Sequence, residues 1–188
     1  METKNRCAWC EKDDLYRDYH DNEWGNPVYD DATLFEFLVL ETFQAGLSWY
    51  TILRKRENFR SAFDHFDYQK IAKYDENKVQ QLLLDAGIIR NQLKIRGTIA
   101  NAIAFKKVQE EFGSFSKYIW AFVDHKPIIN QLRSLKDIQA TTSISDIISK
   151  DLKKRGFKFV GSTVVYAHMQ ATGMVNDHVA DCWKRASE

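Results

Sequence analysis

Helix breakers are scarce in this chain. Two prolines and eight glycines in 188 residues leave long stretches with nothing to interrupt a helix. Cysteine is nearly absent as well: the only thiols are Cys7, Cys10 and Cys182, too few for the disulfide framework of a small secreted domain and better suited to metal binding or to spare thiols in a reducing compartment. An excess of charge of one sign is also missing. Twenty-seven basic residues against 26 acidic ones give a net charge of +1, so binding to a polyanion has to come from local clusters. No apolar run approaches the roughly 18 residues of a membrane span, and the polar start Met1-Glu2-Thr3-Lys4-Asn5-Arg6 does not read as a signal peptide. The expectation is a cytosolic protein that works without a membrane.

What is present points to an ordinary core. With 44% hydrophobic and 13% aromatic residues the chain can bury a sizeable interior, most simply as one domain over residues 1–188 with two lobes. Apolar residues recur at three and four, which predicts an all-α fold without sheets. Thr33 and Glu36 suggest a capping box ahead of Leu34, Phe37 and Leu38, and Ser48 a cap for a helix towards Phe63. Further helices are expected over 75–86, 91–112, 116–123, 145–155 and 162–172, with 126–141 as a loop. Repeats and low-complexity tracts are absent.

The soft metal ligands sit at the two ends. Cys7, Cys10 and His20 fall in the first twenty residues, His178 and Cys182 in the last eleven. On a helix, His178 and Cys182 at i, i+4 would stack on one face about 5–6 Å apart, and thiolates with imidazoles are what Zn²⁺ takes in closed structural sites. Five candidates compete for four places. Three unrelated buried thiols are the plainer alternative.

Three other features bear on chemistry. Glu41 follows Leu34, Phe37 and Leu38 at helical spacing, which sets a carboxylate on an apolar face; either it turns to solvent at the helix end, or it is an acceptor at the floor of a pocket beside the turn Gln44-Ala45-Gly46-Leu47-Ser48-Trp49. Trp9, Tyr16, Tyr19 and Trp24 crowd around the N-terminal ligands, as core or as a surface for stacking on a flat cationic ligand. Finally, Gly156-Phe157-Lys158-Phe159-Val160-Gly161, with Lys153, Lys154, Arg155 and Lys158 nearby, separates two helices. Its glycines and the next helix N-terminus would offer amides to a phosphate, although such a loop can equally be a solvated turn. Arg54-Lys55-Arg56 reads as a solvated face unless folding brings it near that hairpin.

Taken in order, Tyr19-His20-Asp21-Asn22-Glu23-Trp24-Gly25, Phe43-Gln44-Ala45-Gly46-Leu47-Ser48-Trp49, Asp85-Ala86-Gly87-Ile88-Ile89-Arg90, Arg155-Gly156-Phe157-Lys158-Phe159-Val160-Gly161 and Val175-Asn176-Asp177-His178 resemble the 3-methyladenine DNA glycosylase I family across nearly the whole chain. The resemblance implies a helix-hairpin-helix glycosylase fold, with the hairpin and its helices at about 145–172 and with segments 1–30 and 174–188 joined by one structural zinc ion. It implies a monomeric bacterial enzyme of the cytoplasm, acting at the nucleoid, that excises N3-methyladenine from alkylated double-stranded DNA and releases the free base. The zinc ligands would be Cys7, His20, His178 and Cys182, leaving Cys10 outside. Glu41 would be the catalytic, base-recognising residue in a pocket of Trp9, Tyr16, Tyr19, Trp24 and Trp49. Gln44, Gly46 and Leu47 would probe the duplex, while Lys153, Lys154, Gly156, Lys158 and Gly161 would hold its backbone.

The chemistry suits those residue types. A base must leave the stack before its glycosidic bond is attacked, and electron-rich rings favour a base made cationic by N3 alkylation by about 0.5–2 kcal/mol. Other helix-hairpin-helix glycosylases place an aspartate soon after the hairpin's second helix; Asn176 falls there, with Asp177 as rival candidate or as cap of a short helix holding His178 and Cys182. Val160 stands where a lyase lysine would be, which implies a monofunctional enzyme that leaves an abasic site. His168 replaces the family's usual phenylalanine and is expected to be a satisfied or exposed histidine; His65 and His125 suggest no role. A zinc hydrolase and a non-catalytic reader of alkylated DNA remain the competing classes.

Overall fold

The computed structural model describes residues 4–185. Among them, helix α2 (Asp31–Gln44) is the axis of the fold. Leu34, Phe35, Phe37, Leu38, Val39, Leu40 and Phe43 are all buried, so α2 is apolar around its circumference and must be covered on every side. Helices α3 (Trp49–Ala62), α6 (Gln92–Phe112), α7 (Phe115–Trp120) and α9 (Ser162–Ala171) pack on it. The short α4 (Tyr68–Ile71) and α5 (Glu76–Leu84) lie against α6, α1 (Asp14–Asn22) against α3, and α8 (Ser143–Lys154) against α9.

Local chemistry sets the helix starts. Ser48, Asp75 and Asn91 cap α3, α5 and α6 through their side chains, at the positions the sequence indicated. Two starts differ. Asp30, not Thr33, caps α2 by accepting from the Thr33 amide, and Glu36 instead pairs with Arg60 at 2.7 Å; the acidic cap one turn earlier wins because it meets the exposed amides directly. Thr142 and Ser145 form a capping box, so α8 begins at Ser143.

The all-α expectation needs one amendment. Residues 126–141 are not all loop: Ile128–Ile129 (β1) pairs in parallel with Val175–Asn176 (β2), Ile128 opposite Val175. This segment is only half-buried, and its amides are paired all the same: the Ile128 amide donates to Met174 O at 2.9 Å and the Asn130 amide to Asn176 O at 3.1 Å.

Both terminal segments are woven into this region. The Gly25 amide donates to Gln170 O and the Val28 amide to Thr172 O, each at 3.0 Å, while the Trp183 amide donates to Asn5 O at 2.9 Å. Gly173 adopts φ +68°, and a Cβ there would lie 2.3 Å from the Asn26 carbonyl carbon. Only glycine allows that approach.

Candidate functional site

The clasp at the termini is built from four buried side chains. Cys7, His20, His178 and Cys182 bring their ligand atoms within 4.8 Å of one another, near enough to hold a metal ion. Cys182 Sγ lies 3.4 Å from both His20 Nε2 and His178 Nδ1, and Cys7 Sγ lies 3.7 Å from His178 Nδ1. A tetrahedral ion with bonds of about 2.3 Å to sulfur and about 2.0–2.1 Å to nitrogen puts its donors roughly 3.3–3.8 Å apart, so these three sulfur–nitrogen separations suit such an ion. The outward nitrogens are also held: His20 Nδ1 lies 2.9 Å from Asp21 Oδ1, and His178 Nε2 3.3 Å from Trp24 O. Partial burial works against ionisation of Asp21, but hydrogen bonds from Arg6 and His20 outweigh it and hold the carboxyl well below the usual range. Such outer partners fix the tautomer and orientation of ligand imidazoles. Cys10 points elsewhere, donating to Cys7 O at 3.1 Å.

His178 and Cys182 do not share a helix face, because residues 177–185 contain no helix. Their convergence comes from a turn in which the Cys182 amide donates to Val179 O at 2.9 Å. The sequence spacing was therefore met by a different backbone path. Gly25, at φ +77°, packs so tightly on His178 that a Cβ would lie 2.9 Å from its Nε2.

A second site adjoins the first. Trp9, Tyr16, Tyr19, Trp24, Glu41, Gln44, Trp49, Ile138, Ala167 and Gln170 line a cavity of about 220 Å³. Trp9 and Trp24 join the two: Trp24 meets His178 edge to face at 4.6 Å, and Trp9 meets Trp24 at 5.1 Å and Tyr16 at 4.8 Å. Tyr19 lies 5.3 Å from Trp49. The helix α1 therefore carries His20 into the clasp and Tyr16 and Tyr19 into the cavity wall.

Glu41 does not turn to solvent. It is 3% exposed, and burial pushes its carboxyl up to about 8, because no cation or donor compensates the lost hydration. Its Oε2 and the Trp49 Nε1 are the buried side-chain polar atoms without a partner among the described residues. Native interiors leave few such atoms unpaired. Both belong to the same cavity, one an acceptor when ionised and the other a fixed donor.

Asp177 is not a helix cap. It is 1% exposed and accepts from Asn130 Nδ2 at 2.6 Å, Tyr166 Oη at 2.7 Å and Gln170 Nε2 at 2.7 Å, which fixes Gln170 in the cavity wall. Asn176 Oδ1 accepts from the His178 amide at 3.2 Å and so shapes the turn that delivers His178 to the clasp. His168 is a satisfied core histidine, its Nε2 3.1 Å from Leu34 O, with burial lowering it to about 4. Sequence reasoning missed Ile138, which lies in a loop with no periodicity, and Gln170, whose helical position gave no signal. Lys94 was missed too, although a lysine just inside α6 beside Ile95 was visible.

The two exposed turns are ordered differently. In the turn after α2, Gly46 adopts φ +85° and Leu47 is 40% exposed. In the hairpin between α8 and α9, Phe157 and Val160 are buried, whereas Lys153, Lys154, Gly156 and Lys158 are exposed. Arg155 is taken up by Asp151 and Glu111, each at 2.6 Å. Gly161 precedes α9 with no side chain capping the helix N-terminus. Arg54-Lys55-Arg56 is engaged where it stands: Arg56 pairs with Glu23 at 2.5 Å, Lys55 donates to Gly87 O at 3.0 Å, and Arg54 lies 5.8 Å from the Tyr50 ring.

Comparison with known proteins shows the family and the fold. The methyladenine glycosylase family model matches residues 9–185. The chain is 51% identical over 177 residues to DNA-3-methyladenine glycosylase 1 of Escherichia coli (strain K12), covering 94% of this chain and 95% of that one. A crystal structure of 3-methyladenine DNA glycosylase I superposes with a TM-score of 0.94 at 49% identity, covering 97% of this chain and 100% of the other. The Staphylococcus aureus 3-methyladenine DNA glycosylase I, whose structure addresses 3-methyladenine recognition, gives a TM-score of 0.94 at 36% identity over 98% of both chains. The chain belongs to the methyladenine glycosylase family.

Proposed function

We propose that this chain excises N3-methyladenine from alkylated DNA by hydrolysing the N-glycosidic bond, releasing the free base and leaving an abasic site. The observation that carries the reading is the pair of unpartnered buried atoms, Glu41 Oε2 and Trp49 Nε1, in one aromatic cavity. A purine flipped into it stacks against Trp49, Tyr19 and Tyr16, and the stacking offsets an unstacking cost of a few kcal/mol.

Glu41 supplies the discrimination. Burial alone favours its neutral form, but a cationic base restores the carboxylate, which then accepts from the exocyclic amino group. An undamaged adenine brings no charge and leaves that cost unmet. The same charge makes the alkylated purine a good leaving group, so the pocket gains selectivity without needing a strong base. Neither Asn176 nor Asp177 serves as one, since both side chains are committed to structural bonds. Val160, which the family resemblance sets at the place of a lyase lysine, is a buried apolar residue, consistent with a monofunctional reaction.

Cys7, His20, His178 and Cys182 would hold a structural Zn²⁺ ion, whose chemistry here would be to tie residues 4–30 and 174–185 beside the pocket. The turn Gln44-Ala45-Gly46-Leu47 probes the gap left by the base. The helix-hairpin-helix, through Lys153, Lys154, Gly156, Lys158, Gly161 and the α9 N-terminus, holds the phosphate backbone. Incubation with alkylated duplex DNA tests the proposal: free 3-methyladenine should appear with intact abasic strands, whereas binding without release would make the chain a reader of damage.

A further inference from the structure

Helix α6 touches both exposed turns with one face. Lys94 is 8% exposed, and its Nζ donates to Phe43 O at 2.9 Å and to Ala45 O at 2.8 Å, the carbonyls on either side of Gln44. Three residues on, a Cβ at Gly97 would lie 2.7 Å from the Phe159 ring. Asn101, 0% exposed, clamps the hairpin from both directions: its Oδ1 accepts from the Lys158 amide at 2.6 Å and its Nδ2 donates to Lys158 O at 3.1 Å. Positions i, i+3 and i+7 share one side of a helix. From 94 to 101 the helix rises about 10 Å.

Lys94 and Asn101 act on backbone, whereas Gly97 meets the Phe159 ring. A buried ammonium without a carboxylate partner is costly; here two carbonyls satisfy it, and one of them belongs to the turn itself. The missing side chain of Gly97 lets the Phe159 ring lie on the helix, and Phe159 adopts φ +58°, a conformation that needs support in a bulky residue. The side chains of Leu47 and Lys158 stay exposed, but the peptides beside them are anchored to one rigid rod.

We infer that Lys94, Gly97 and Asn101 are positioning residues, and that α6 fixes the spacing between the turn that enters the duplex and the hairpin that holds its backbone. This rests on the proposed roles of those turns. A substrate in duplex form has to engage both at once, whereas a free base needs only the cavity.

The experiment compares wild type with Lys94→Met and Asn101→Ala in the full chain, reading two quantities at a temperature where each is folded. One is the rate of 3-methyladenine release from alkylated duplex DNA, the other the Kd for free 3-methyladenine by tryptophan fluorescence. Both variants should slow release at least tenfold and change the free-base Kd less than twofold. A parallel loss in both quantities would reduce the residues to general structure, and unchanged release would show that the turns need no common support. If Lys94→Met does not fold, Asn101→Ala decides alone by the same two readings. A wild type that binds the free base but releases none from DNA would instead sink the proposed function.

Discussion

The clasp and the cavity are neighbours built partly from the same helix, yet they differ in how their polar atoms are satisfied. In the clasp, every imidazole nitrogen faces a thiol, a carboxylate or a carbonyl. In the cavity, a carboxylate oxygen and an indole N–H are buried with no hydrogen-bond partner among the described residues. A closed donor set holds a structure together; an open pair of donors and acceptors awaits a ligand. Mutations should therefore separate the two, with clasp variants losing architecture and cavity variants losing recognition.

The largest effect is expected at the clasp. Cys7→Ser or Cys182→Ser should lose stoichiometric zinc and, with it, cooperative unfolding of the terminal segments, because metal binding and folding share one free energy. Cys10→Ser should retain the metal, and metal analysis with thermal unfolding checks all three variants. Next comes Glu41→Gln, which should cut base release by on the order of 100-fold, about 2.7 kcal/mol of lost transition-state stabilisation, with zinc content unchanged. Parallel loss of zinc would merge the two regions and end the comparison.

The pH dependence of stability sharpens it. With the Glu41 carboxyl raised to about 8 when folded against about 4.3 when unfolded, both states are protonated below the lower value. Between the two the unfolded chain releases its proton and the folded chain keeps it, so Glu41's contribution is lost as pH rises, levelling off above the folded value. Denaturation of wild type should show this loss relative to Glu41→Gln, by a few kcal/mol at most across that window; parallel profiles would mean that Glu41 already has a partner. Trp49→Phe is milder. It keeps a ring but removes the unpaired donor, and should weaken free-base binding about tenfold, as expected for one hydrogen bond, with little change in thermal stability. The smallest change is expected for Leu47→Ala, at an exposed position: a few-fold slower release from duplex DNA and an unchanged Kd for the free base.

Much of this was legible in the chain because the relevant signals are local. Ser48, Asp75 and Asn91 announce helix starts through their own side chains, and Glu41 stands out because a carboxylate breaks the periodicity of an otherwise apolar helix. The four clasp residues stood out by residue type, since few other residues could bind a soft metal, and the structure brings them close enough to hold an ion. What stayed hidden depends on contacts between distant segments. The strand pair β1–β2 joins residues 47 apart and is too short to leave a period of two. Asp177 looked like a cap because its neighbours looked helical; its three partners come from helix α9, which supplies Tyr166 and Gln170, and from the loop at Asn130. Lys94 reaches back to carbonyls some 50 residues earlier, a relation no local pattern encodes.

The central claim is that the open cavity recognises a cationic base while the closed clasp only supports it. Zinc-loaded wild type and Glu41→Gln should be incubated with alkylated duplex DNA and the free 3-methyladenine measured. The account predicts release by the wild type and on the order of 100-fold slower release by the variant, at equal zinc content. Equal release rates for the two proteins would contradict it.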